Sequence, residues 1–303
     1  MLNLWKSLAI TVLCYAIGHY FGGSWVTGIV PALFGFMIAY FIFARRSMNK
    51  FTAITQEAMK QVQEGQDKQD PSLMMSGLEK ALKKFEEALD IAKEQFLIAE
   101  MVHAQMGALT YQGASLQLQL KMREDMQRNK AASQRLKKKA EQYFSESKYH
   151  LEKAHNKDWT MTLIRQWHGV GMLSAMEFRE GKKSEAIARL AKVKSVGSSD
   201  PLFWQMYAWM LLENEQGSEA MLAANEGLSK NESNEGLKYL SDAIANQKKV
   251  DTFKFGMMWY SMFPEQLTVE IAMKMQSQMP DQGNGPQMNR QMRRAMKKKG
   301  YKV

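Results

Sequence analysis

The sequence predicts an all-α protein in three parts: two membrane-spanning helices at the N-terminus, a helical-repeat domain, and a basic tail. Three observations predict it. Two apolar runs fill most of the first fifty residues and end at Arg45, Arg46 and Lys50. The rest of the chain is polar and helix-forming, with few β-branched clusters and with Pro or Gly only at breaks. Within it, two segments repeat at an offset of 34 residues.

The first run, 4–21, carries Lys6 near its start, and the second, 25–43, carries no charge. A spanning helix needs roughly 20 apolar residues, with about 17 tolerated, so residues 1–46 are expected to cross a membrane twice, turning at Gly22-Gly23-Ser24. Lys6 precedes the first span and the Arg45/Arg46/Lys50 cluster comes after the second, while the connection has no Lys or Arg. Basic residues stay on the cytoplasmic side, so both termini are expected there, in an inner or plasma membrane. Trp5, Tyr20, Phe21, Trp25, Tyr40, Phe41 and Phe43 fall near the boundaries, where aromatic rings favour the headgroup level. A cleaved signal peptide is the competing reading of the first run, with Ala16-Ile17-Gly18 as a small-residue site. Pro31 is expected to kink the second span. The pairs Gly28/Ala32 and Gly35/Ala39 have the spacing that brings helices close, within this chain or between two copies.

Residues 47–70 read as a connecting helix and linker, ended by Asp70-Pro71. Residues 71–279 form the repeat domain. Beginning at Trp167 and Pro201, Leu173-Ser174 aligns with Tyr207-Ala208, Glu185-Ala186 with Glu219-Ala220, and Leu190 with Ala224. Each unit is a first helix, a turn near Gly181 or Gly217, and a second helix whose small residues permit a tight crossing. Earlier, Ala81, Phe85, Ala88 and Leu89 repeat the second-helix pattern, and Met106-Gly107 with Tyr111 the first. Leu237, Leu240 and Ile244 suggest one more helix.

These residues resemble the tetratricopeptide repeat, a 34-residue helix-turn-helix unit. The resemblance covers about residues 72–265 and is clearest over 160–230. It implies an α-solenoid whose first helices line a concave groove for a protein partner. The groove residues so implied are Tyr111, His168, Phe178, Gln205, Trp209 and Leu212. They are apolar or neutral, so an apolar or amphipathic helix is the expected ligand. That neighbouring helices of the same chain fill these positions stays open.

Residues 280–303 open with a Pro- and Gly-rich breaker and close with a basic run, expected to be disordered or helical. Residues 287–303 carry +7 and the N-terminal basic residues +4 of the chain's +10, which leaves the domain near neutral. Its surface therefore does not read as a general nucleic-acid binder. Arg290, Arg293, Arg294, Lys297, Lys298 and Lys299 are candidates to touch anionic lipid or, as an alternative, RNA or a ribosome. No catalytic constellation, cofactor motif or metal spacing occurs. The histidines are dispersed, and the single cysteine, Cys14, lies inside the first span, which excludes disulfides and paired-cysteine metal sites. The 25 methionines read mostly as core filler. The expected function is that of a non-enzymatic, membrane-anchored scaffold.

Overall fold

The computed structural model describes residues 2–67, 70–95, 97–155, 167–271 and 274, and the regular structure among them is helical, without strands. The chain divides into a compact unit, Met1–Gln266, and a second, Leu267–Val303. The division falls at 266/267, whereas composition places it at 279/280. The tail residues Arg290, Arg293, Arg294, Lys297, Lys298 and Lys299 lie outside the described residues.

Helix α1 (Leu2–Gly22) runs back along the first half of α2 (Trp25–Asp67). Gly23, at φ +62°, makes the reversal. Small residues set the closeness of the pair. A Cβ on Gly28 would lie 2.8 Å from Tyr15, and one on Gly35 would lie 2.6 Å from Cys14 Sγ. Gly28, Ala32 and Ala39 are accordingly buried, so the small-residue face is used within the chain.

The sequence reads a helix from residue 47 onward as a continuation of the second span, and α2 has this form. Helix α2 continues unbroken through Pro31 and past Arg46. Its second half places Phe51, Ala58 and Val62 in one core with α3 (Pro71–Ala92) and α4 (Ile98–Met126). A period of 3.6 residues puts Leu78, Ala81, Phe85 and Ala88 on the face of α3 that enters this core. Asp70 caps α3 by accepting from Ser72 N–H at 2.8 Å, with Pro71 in the first turn where its missing N–H is harmless. Helix α4 then pairs lengthwise with α5 (Lys130–Ala154). Gly107 lets Leu151 approach, and Ser147 Oγ donates to Gly107 O at 2.7 Å.

Two helix pairs come next. Helices α6 (Trp167–Arg179) and α7 (Lys183–Lys192) form the first, and the short α8 (Lys194–Gly197) connects it onward. Helices α9 (Pro201–Glu213) and α10 (Gly217–Lys230) form the second, and both start 34 residues after their counterparts. The turns match in hydrogen bonding as well. Lys182 N donates to Glu177 O and Gly181 N to Phe178 O; Gln216 N donates to Leu211 O and Glu215 N to Leu212 O. Both turns need a left-handed residue, Gly181 at φ +84° and Glu215 at φ +62°.

The two pairs are held by different chemistry. In the first, Glu177 is buried and accepts from Arg189 at 2.6 and 2.9 Å. In the second, the corresponding positions are Leu211 and Ala223, both apolar and buried. Helix α11 (Glu235–Ala245) packs on α9 and α10. The chain then returns through 3-10 turns at Thr252–Phe255 and Pro264–Gln266 that flank α12 (Trp259–Met262).

Candidate interaction surfaces

Three places in the compact unit could meet something other than solvent: the outside of α1 and α2, the junction beneath it, and the face lined by the expected groove residues.

Helix α2 alone, among the described residues, is long and apolar enough to cross a membrane; α1 is diluted by Lys6, Ser7 and His19. The pair turns its large apolar side chains outward. Trp5 is 68 % exposed, Phe21 82 % and Trp25 65 %, and Val12, Leu13, Val30, Phe34, Ile38 and Phe41 are also exposed. Large apolar side chains exposed along the whole of one helix pair mark a surface built to meet something other than water.

Where this apolar surface ends, a polar junction begins. The first-turn N–H groups of α1 have no partner in their own helix. Leu2 N and Asn3 N instead donate to Lys93 O and Glu94 O, just past the end of α3, at 3.1 and 3.0 Å. Asn3 Nδ2 donates to Ser47 Oγ at 2.9 Å, and Ser47 Oγ donates to Glu94 Oε2 at 2.9 Å. Lys50 pairs with the same carboxylate at 3.3 Å, and Gln95 donates to the Tyr40 hydroxyl at 3.0 Å. The Ser47 hydrogen bond, with help from Lys50 and Lys6 against the opposing effect of burial, holds the Glu94 carboxyl below its ordinary pKa. Asn3, Ser7 and Ser47 are buried here with their polar groups satisfied. The α3–α4 loop is thereby fastened to the base of the apolar pair.

The groove residues meet a different fate. Tyr111, Phe178 and Trp209 come together, but on a surface the chain fills itself. Trp209 is 8 % exposed and lies edge-on to Trp259 and Phe263, each with ring centroids 5.1 Å away; Phe178 lies at 5.3 Å. Tyr111 donates to Met262 O at 2.5 Å, and burial raises its pKa well above the ordinary value. Trp259, Met262 and Phe263 are fully enclosed. Of the two occupants the sequence leaves open, the chain's own neighbours take Tyr111, Phe178 and Trp209, through Trp259, Met262 and Phe263. Apolar positions call for apolar cover, and they cannot say whether a partner or the chain's own segment supplies it.

Gln205 is buried and donates to Asn234 Oδ1 at 3.0 Å, which helps cap α11. His168 is exposed, stacks on Trp167 at 4.3 Å and sits 3.5 Å from Asp200 Oδ2; desolvation lowers its pKa and Asp200 partly restores it. Leu212 is half-buried. The six positions therefore do not form one continuous accessible surface.

Sequence reading missed one pair. His103 on α4 and His150 on α5 meet with their Nδ1 atoms 3.0 Å apart, so one ring donates and the other accepts. Burial, then the neighbouring ring, pushes His150 down to about 4; His103 is also lowered, chiefly by burial. They are 47 residues apart in sequence, and only the antiparallel register of α4 and α5 joins them. Among the described residues, no three His, Cys, Asp or Glu side chains are grouped to hold a metal ion.

No family model matches the chain, and neither the curated proteins nor the solved structures contain a significant match to it.

Proposed function

We propose that the protein is a membrane-anchored, non-enzymatic adaptor that holds a tetratricopeptide-like helical domain against the cytoplasmic face of a bilayer. Helix α1 and α2 as far as Phe43 form the anchor, and both termini are cytoplasmic. The observation that carries this reading is the outward-facing apolar surface of α1 and α2. It ends abruptly at Lys6, Arg45 and Arg46, with aromatic residues at both ends.

The anchor and the domain share α2, and the α3–α4 loop is tied by polar contacts to the start of α1 and the middle of α2. A domain fastened in this way is presented at a fixed angle, unlike one on a flexible tether. The 34-residue register of α6/α7 and α9/α10, with matching turn hydrogen bonds, supports the repeat reading. Because Trp259, Met262 and Phe263 cover Tyr111 and Trp209, the partner is expected on the outer helices or at the ends of the domain.

Sidedness tests the proposal. Protease added to spheroplasts is expected to spare the domain, and protease added to inverted vesicles to remove it, while the chain stays in the pellet after alkaline carbonate. Release by carbonate, or the opposite sidedness, refutes the anchored reading.

A further inference from the structure

The near-neutral charge of the domain is a sum that hides a separation. Between Lys121 and Lys139, at the end of α4 and the start of α5, eight Lys or Arg face two acids, a local net charge of +6. Both acids are used to close the turn. Asp125 accepts from Lys121 Nζ at 2.6 Å and from Ser133 Oγ at 2.5 Å, and Glu124 accepts from Asn129 Nδ2 at 2.8 Å. Asn129 in turn caps α5 through Ala132 N–H. Ser133 and Ala140 bury the inner face of α5. The remaining cations point outward: Arg123, Arg128, Lys130, Arg135, Lys138 and Lys139 are all exposed, and none has a carboxylate within ion-pair distance among the described residues.

From this geometry we infer that the tip of the α4–α5 pair is a docking surface for the phosphate backbone of structured RNA. Two features select this partner. Helix α4 starts beside the junction at the base of α1 and is 29 residues long. At 1.5 Å per residue, its far end lies about 40 Å from that base. The Debye length in cells is about 8 Å, so an anionic leaflet at the anchor does not reach this tip. That step rests on the anchored reading; the charge cluster does not. Second, no aromatic residue lies between Lys121 and Lys139. Surfaces for single strands stack bases on aromatic rings, whereas a surface of Lys and Arg alone reads backbone and shape. Backbone contact gives affinity without sequence preference and makes it depend steeply on salt.

The experiment uses the full chain in phosphatidylcholine nanodiscs and a labelled 24-base-pair RNA duplex, with fluorescence anisotropy read between 50 and 200 mM KCl. If three phosphates are neutralised, affinity is expected to fall about 40-fold over that range. Replacing Arg123, Arg128, Lys130, Arg135, Lys138 and Lys139 with Gln is expected to weaken binding at least 10-fold at 50 mM and to flatten the salt dependence. The same replacement at the six tail cations, Arg290 to Lys299, is expected to have a smaller effect. Arg128→Gly guards against misfolding. Arg128 sits at φ +61°, where Gly is unstrained, so this variant is expected to melt no lower than the parent while binding the duplex about 2- to 3-fold more weakly. Unchanged duplex binding by the six-site tip variant overturns the inference. So does a polyglutamate peptide that displaces the duplex at equal charge concentration, which would assign the tip to an acidic protein. Carbonate release with the tip effect intact would remove the anchor and leave the RNA surface standing.

Discussion

Helix α9 carries Leu202, Phe203, Trp204, Met206, Ala208, Trp209, Met210 and Leu211 and buries every one of them. The first half of α2 is as rich in large apolar residues, yet Trp25, Val30, Leu33, Phe34, Ile38 and Phe41 are exposed. A helix that is apolar all round has two stable settings: the interior of a protein, or a bilayer. Helix α9 has the first, surrounded by α7, α10, α11 and the returning segment 252–266. The first half of α2 has only α1 on one side, a contact through small residues that leaves the large ones outside. The two helices differ less in what they are made of than in how many neighbours the chain gives them.

The sharpest way to break this comparison is to truncate one residue from each side. Trp209→Ala removes an enclosed ring that touches Phe178, Trp259 and Phe263, and is expected to lower stability by about 3–5 kcal/mol in detergent-solubilised full chain. Phe34→Ala, measured identically, is expected to change it by less than about 0.5 kcal/mol. Similar losses from both would mean that the outer face of α2 is covered by protein, and the membrane argument would fail.

Next in size is a charge in the belt. Phe34→Arg is expected to disfavour insertion by about 2.5–3.5 kcal/mol and to reduce the carbonate-resistant fraction, because an arginine at the middle of a span cannot reach either surface. A third test addresses the seam. Gly28→Leu places bulk where a Cβ would already lie 2.8 Å from Tyr15, so overpacking is expected to destabilise the α1–α2 pair by about 1–3 kcal/mol. Disulfide crosslinking between the native Cys14 and a cysteine introduced at Gly35, where a Cβ would lie against the Cys14 side chain, is expected to fall, while the melting of the domain is unchanged.

The smallest effect is one of pH, and it belongs to the domain alone. His150 has an ordinary pKa near 6.5 when unfolded and about 4 when folded. Between these values the unfolded chain binds the proton and the folded chain does not, so stability is full above pH 6.5 and falls as pH drops toward 4. The expected loss is about 1–2 kcal/mol, given that the ring is only partly buried. The His150→Asn variant is expected to melt with a flatter pH profile over that window; an unchanged profile would show that the His103–His150 pair does not titrate there.

Much of the fold was legible. Asp70-Pro71 and Asp200-Pro201 start α3 and α9 because a carboxylate cap and a residue lacking N–H suit the first turn, and both requirements are local. The 34-residue offset of the helix pairs was legible for the same reason: each pair repeats its turn and its small crossing residues in order. The candidate groove was less so. Tyr111, Phe178 and Trp209 are apolar enough to call for cover, but what covers them includes Met262, 151 residues from Tyr111 in the chain. The 3-10 turns and four-residue helix of residues 252–266 give no periodic signal. His103 and His150 were hidden because nothing local marks a contact made between two long helices.

The sequence by itself determined the all-helical character, the apolar run over 25–43, the caps and the repeat offset. Each depends on residues within a few turns of one another, where backbone propensity and side-chain period act directly. Only the tertiary structure decided which apolar surface was buried by the chain and which was left outside, and where the charges of a near-neutral domain came to lie. Burial and field depend on what is adjacent in space. Residues 252–266 reach Trp209, and Glu94 reaches Ser47, only after the intervening helices have fixed the distances between them.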